Sequence, residues 1–231
     1  MGRYGISKGN PTLKPQISQD LSFSAVWNFM QLSVNYQVFK DAIINAATAQ
    51  PDLPNIIVLR PINYGKNFPM INARVSATPT IGFWTPRISL GISKQWLTLS
   101  YMGEDVELKK PVLLLALGST FTFPKGFMLN VDYNLQGKGH ILAYEMMEPM
   151  HQLDIALSKS FFNDALTVEL KGLDLFALRH EKTHLYSGVY QILESKRLDA
   201  NELVITIRYN FNIAKSKYKG TGTGESERKR L

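Results

Sequence analysis

The run HEKTH places His180 and His184 four residues apart with Glu181 between them, the spacing H-E-x-x-H. On a helix the two imidazoles would share a face and hold zinc, with Glu181 as general base. Lys182 sets a positive charge where zinc proteases favour an uncharged residue. No third histidine follows, and Glu194 and Glu202 stand in strand-like surroundings. The motif reads as a chance match in a polar loop. Residues 137–140 (GKGH) and 220–224 (GTGTG) lack the Lys-Ser/Thr and the preceding parallel strand of a phosphate loop, and read as flexible connectors. His140 and His151 bracket Met146, Met147 and Met150, donors that suit copper, but irregular packing against a neighbouring loop is the better account of them. Lys109 and Lys110 beside Glu104, Asp105 and Glu107 make a mixed-charge loop tip. Ser158 and His151 lie too far apart along one ladder for a hydrogen bond. Cysteine is absent, which removes thiolate nucleophiles, thiolate metal sites and disulfides together. No enzyme activity, cofactor or metal is expected.

Charge points elsewhere. The 231 residues carry a net +7, but residues 215–231 hold six basic and two acidic side chains in a Gly- and Ser/Thr-rich stretch. That segment reads as a solvated basic tail, and the remaining body gives no case for a nucleic-acid groove. No apolar run approaches the roughly 20 residues of a membrane helix.

The dominant signal is alternation. Leu129, Val131, Tyr133 and Leu135 interleave with Asn130, Asp132, Asn134 and Gln136; Leu203, Ile205, Ile207, Tyr209 and Phe211 interleave with Val204, Thr206, Arg208 and Asn210. Further ladders start at Leu21, Leu32, Ile71, Ile88, Leu113, Leu153 and Leu166. Side chains of a strand point alternately to opposite faces, so each ladder is a strand with one apolar side. Short aromatic turns (27–30, 80–86, 123–126, 161–164) alternate with longer polar or irregular stretches (40–55, 101–111, 137–149, 173–201). The pattern predicts an all-β, antiparallel up-and-down meander of about 9–10 strands. Its limits are a lead-in at 1–17, strands over 18–212 and the tail at 213–231.

Such ladders suit a soluble sandwich with a dry centre or a transmembrane outer-membrane β-barrel with its apolar face to lipid. Ladders of about 9–11 residues match a tilted membrane crossing. Trp27, Phe29, Phe121, Phe123, Phe127, Phe161, Phe162, Tyr209 and Phe211 gather at the short-turn ends, as an interfacial girdle does. The alternate face carries Arg74, Arg87, Asp132, Glu169, Lys171 and Arg208, with Asn72, Asn134 and Asp154, and these become candidate lumen-facing groups.

The segments LTVELKGLDLF (166–176) and NELVITIRYNF (201–211) resemble the last two barrel strands of TonB-dependent receptors. The tail from 215, and GNPTLKPQISQDLSFS (9–24), are similar to those of receptor-like outer-membrane β-barrel proteins. INYGKNFPMINARVS (62–76) resembles the long strand after an extracellular loop, with Met70, Ile71 and Asn72 replacing the usual glycine and glutamate. The resemblance implies a barrel of about 22 strands around a plug, in the bacterial outer membrane, taking up a nutrient or chelate. This chain would be its C-terminal part, with outer-membrane lipid, the missing strands and plug, and the barrel-assembly machinery as partners. Tyr209 and Phe211 resemble the signal that this machinery reads. The alternative is a self-contained small barrel of structural or adhesive role, in which the first strand pairs with the last.

Overall fold

The computed structural model describes residues 5–50, 53–198 and 201–211. In chain order its strands are β1 (Gly5–Ser7), β2 (Ile17–Trp27), β3 (Met30–Lys40), β4 (Ile43–Gln50), β5 (Leu53–Asn63) and β6 (Phe68–Ala77). There follow β7 (Trp84–Gln95), β8 (Leu97–Tyr101), β9 (Glu104–Leu108), β10 (Val112–Phe123), β11 (Phe127–Gln136) and β12 (Gly139–Ile141). The last are β13 (Tyr144–Met146), β14 (Met150–Phe161), β15 (Leu166–Leu173), β16 (His180–Ser187), β17 (Tyr190–Arg197) and β18 (Glu202–Tyr209).

The ladders become one nine-stranded antiparallel sheet in the order β18-β15-β14-β11-β10-β7-β6-β3-β2. Its register keeps the two faces distinct across the whole width. Leu90 pairs with Leu115 and Leu115 with Leu135; Leu157 pairs with Leu129 and Leu170, and Leu170 with Ile205. A slip of one residue in any pair would turn an apolar row onto the polar face. The first and last strands both run toward the short turns, and the Asn210 amide donates to the Ala165 carbonyl beside the β14–β15 turn at 2.8 Å. The sheet is open: β2 and β18 are its two ends and do not pair with each other.

Among the described residues no dry centre lies behind the apolar face. Ile205 and Ile207 are 67% and 69% exposed, and Leu90 is 52% exposed. The buried cluster sits elsewhere, at the end of the sheet opposite the short turns. It joins Ala42, Ile44, Phe68, Leu97, Leu99, Leu108, Ala143 and Leu185.

That cluster corrects the expectation of irregular long connections. The first excursion is the β4–β5 hairpin, with β1 added in parallel to β5. The second is the β8–β9 hairpin, and the third and fourth combine as the sheet β12-β13-β16-β17. Residues 104–108 are therefore strand rather than loop tip. The stretch 62–76 is not one strand either: Ile62 and Asn63 end β5, and β6 begins after a turn. Residues 5–7, within the expected lead-in, form β1, whereas the tail from 213 lies outside the described residues.

Candidate functional site

Arg74, Arg87, Asp132, Glu169, Lys171 and Arg208 come from five strands, and the register puts all six on the polar face of the sheet. Arg87 and Asp132 are brought together, although β10 runs between their strands. The Arg87 Nη2 donates to Asp132 Oδ1 at 2.6 Å, and Nη1 donates to Thr120 Oγ1 at 2.9 Å. The bridge passes over Gly118, where an added Cβ would stand 2.8 Å from both Arg87 Nε and Asp132 Oδ1. Gly118→Val is therefore expected to break the pair while leaving the sheet intact. Both partners are substantially exposed, so the cost is about 1 kcal/mol or less, read as a small downward shift in the thermal midpoint in detergent. Arg74, Glu169, Lys171 and Arg208 make no hydrogen bond or ion pair with the described residues.

Arg74 lines a cavity of about 190 Å³ with Ser89, Asn134, Gln136 and Gln152 from neighbouring strands. Arg179, in the connection between β15 and β16, lines it too. Sequence reasoning missed Arg179, which stands in the run LFALRH with no periodic pattern to place it. Its position is set by a relay. Asp154 Oδ1 accepts the Asp174 amide at 2.9 Å, and the Asp174 carboxylate accepts the amides of Leu178 and Arg179 at 3.0 and 3.3 Å. His151, although a lining residue, has the strand parity of the apolar face, where its Nδ1 lies 2.7 Å from the Tyr133 hydroxyl.

The motifs with chemical potential are absorbed by the outer layer. HEKTH opens β16, where residues four apart stand about 13 Å apart along the strand, too far to share one ion. His180 Nδ1 and Lys182 Nζ contact the two oxygens of Glu148 at 3.1 and 3.2 Å. These hydrogen bonds hold the Glu148 carboxyl below its usual range despite its small desolvation. His184 Nε2 lies 3.2 Å from the Tyr101 hydroxyl. GKGH is no flexible connector: Gly139 has φ +150, and a Cβ there would stand 2.4 Å from the Pro111 carbonyl oxygen. His140 and His151 do not form a common metal site, since His140 is buried in the outer layer and His151 faces the other way.

His140 Nδ1 accepts the Lys110 amide at 3.1 Å, so its proton resides on Nε2, which is buried without a partner. Burial holds the His140 pKa below 6.5, partly opposed by the charge of Glu145. Burial alone would raise the Glu145 pKa, but hydrogen bonds from Lys110 Nζ (2.6 Å) and the Tyr186 hydroxyl (2.7 Å), with the charges of Lys110 and His140, bring it below 4.5. Burial and Glu145 push the Tyr186 hydroxyl up to about 12. Both His140 and Glu145 bind protons more readily unfolded than folded. Their contributions are full above pH 6.5 and 4.5 respectively, and are lost as pH falls through each folded value. Lowering the pH from about 7.5 to about 5.5 is expected to lower the amide protection factors of residues 139–146 several-fold, once the slower intrinsic exchange at the lower pH is divided out. In His140→Gln that first acid phase should vanish while the Glu145 phase below pH 4.5 persists.

The apolar face ends in aromatic belts. At the short turns Trp84 stacks on Phe121 at 6.2 Å, Phe83 meets Phe123 at 5.9 Å, and Tyr209 meets Phe211 at 4.6 Å. At the opposite end Lys94 lies over the Trp96 ring at 5.0 Å, with Tyr36 two strands away across Ile71 in the register. An open apolar band between aromatic rims, backed by a polar face, is the section of a membrane-spanning β wall. The model of an outer membrane protein beta-barrel family matches residues 2–209. The chain belongs to that family. No curated protein and no solved structure matches it. Outer-membrane β-barrel proteins of this family reside in the bacterial outer membrane, so the apolar face of the nine strands meets lipid. The short turns then lie on the periplasmic side and the four packed excursions outside the cell.

Proposed function

We propose that this chain is wall and outer layer of a receptor-type outer-membrane transporter of the TonB-dependent kind, non-catalytic and engaged in uptake of a nutrient or chelate. The observation that carries the reading is the open sheet with unpaired charges on its polar face beneath one packed layer of four excursions. In hydrocarbon each unsatisfied backbone group costs several kcal/mol. The edges of β2 and β18 therefore call for further strands, as a larger barrel supplies. Arg74, Arg87, Asp132, Glu169, Lys171 and Arg208 would face its lumen and contact a plug or a passing solute. Tyr209 and Phe211, the latter 83% exposed, would serve as the mark read by the barrel-assembly machinery.

A self-contained barrel instead needs β2 beside β18. Because the chain has no cysteine, a panel of cysteine pairs between residues 21–27 and 203–209 reports that pairing cleanly. In cells the chain is expected in the outer-membrane fraction, heat-modifiable on gels, with no β2–β18 crosslink. An efficient crosslink would establish the small closed barrel. A detergent-independent soluble monomer would defeat both readings.

A further inference from the structure

We infer that the cavity between Arg74 and Arg179 is a binding subsite for an oxyanion, the carboxylate or phosphate group of a solute. The inference rests on the transporter reading and names the solute chemistry of its polar face. Two independent features converge on this cavity. Arg179 makes no side-chain hydrogen bond or ion pair with the described residues, and its buried Nε has no partner, so nothing around it neutralises the guanidinium. Arg74 makes no hydrogen bond or ion pair with the described residues, although Arg87 on the next strand is fully engaged by Asp132 and Thr120.

The surroundings favour an anion and no other charge. Among the described residues no acidic side chain lines the cavity; Ser89, Asn134, Gln136 and Gln152 add neutral hydrogen-bonding groups, and Leu114, Ala116 and Met150 form its apolar part. The two carboxylates nearest in the chain path are otherwise committed. Asp154 accepts Gln152 Nε2 at 2.9 Å and the Asp174 amide, and Asp174 accepts two backbone amides. Those same bonds fix the backbone of Arg179 at the cavity, which removes part of the ordering cost of binding. About 190 Å³ holds some six waters' worth of ligand, the scale of a small dianion. Guanidinium groups bind carboxylate and phosphate through paired N–H donors. Because the cavity opens on the polar face, a solute rather than a membrane lipid is the source.

The test is calorimetric titration of the full chain in detergent micelles, with succinate in one arm, inorganic phosphate in another and uncharged succinamide as control. At least one anion is expected to bind saturably and succinamide not at all; which anion binds identifies the carboxylate or the phosphate class. Arg74→Gln and Arg179→Gln should each weaken binding about tenfold or more. Arg60→Gln, an exposed position on β5 outside the cavity, should leave it within about twofold. If Arg179→Gln misfolds, Arg74→Gln decides, since Arg74 is an exposed side chain. Absence of saturable binding by both anions overturns the inference, as does an equal loss in Arg60→Gln. Where binding fails but the chain still fractionates as a heat-modifiable outer-membrane protein, only the subsite falls and the membrane assignment stands.

Discussion

Leu90→Arg is expected to destabilise the folded chain in bilayers by about 2–4 kcal/mol, whereas Ser89→Arg, one residue away, should cost about 1 kcal/mol or less. Leu90 lies midway along β7 and is half exposed in the polypeptide. In a water-soluble protein an arginine there would be nearly neutral, because the guanidinium would remain hydrated. In this chain the exposed side of Leu90 meets hydrocarbon, flanked by Val75 and Leu115 in the register, and the charge must be taken out of water near the bilayer centre. Ser89 is on the opposite, polar face among Ser76 and Ala116. Urea titration in lipid vesicles measures both costs. Equal small values for the two variants would show that neither face contacts lipid, and would remove the basis for the membrane-spanning wall.

The wall was legible because each of its strands obeys one rule over eight to twelve residues. Lipid on one side and polar groups on the other impose a strict period of two, and Leu129 to Gln136 keeps it without interruption. The outer layer breaks that rule for physical reasons. In β16 the consecutive residues Thr183, His184 and Leu185 are all buried, so both faces are covered and no alternation survives. Ala46, Ala47 and Ala49 in β4 are small and uninformative, and β5 contains Pro54 and Pro61, which read as breaks. Strands β8 and β9 have five residues each, too few to separate from a loop. The candidate site divided along the same line. The polar-face positions of Arg74, Arg87 and Asp132 follow from ladder parity alone. The union of Arg87 with Asp132 required the register across Gly118, and the placement of Arg179 required the relay through Asp154 and Asp174. Neither is encoded in local spacing.

Phe68→Ala should loosen all four excursions at once while sparing the wall. Phe68 is 1% exposed and stands at the upper start of β6, where it stacks on Phe39 at 5.3 Å and meets Tyr64 edge-on at 5.9 Å. Around it the buried cluster draws Ile44 from the first excursion, Leu97 and Leu108 from the second, Ala143 from the third and Leu185 from the fourth. Polar ties cross the same boundaries. Gln95 both donates to and accepts from the Leu142 backbone at 2.8 Å, the Ala47 amide donates to Ser187 Oγ at 2.6 Å, and the Met102 amide donates to the Gly188 carbonyl at 2.7 Å. Truncating a fully buried phenylalanine costs about 3–5 kcal/mol. Because the excursions share one core, that loss falls on the layer as a unit, and amide exchange should accelerate together in residues 43–48, 97–108, 139–146 and 183–187. Amides of β10, β11 and β14, bonded on both sides within the lipid-facing sheet, should hold their protection. Acceleration confined to the first excursion would mean that the loops move independently, and a rigid outer layer above the Arg74–Arg179 cavity would have to be abandoned. Concerted acceleration would instead identify the four excursions as one cooperative unit held by the core around Phe68.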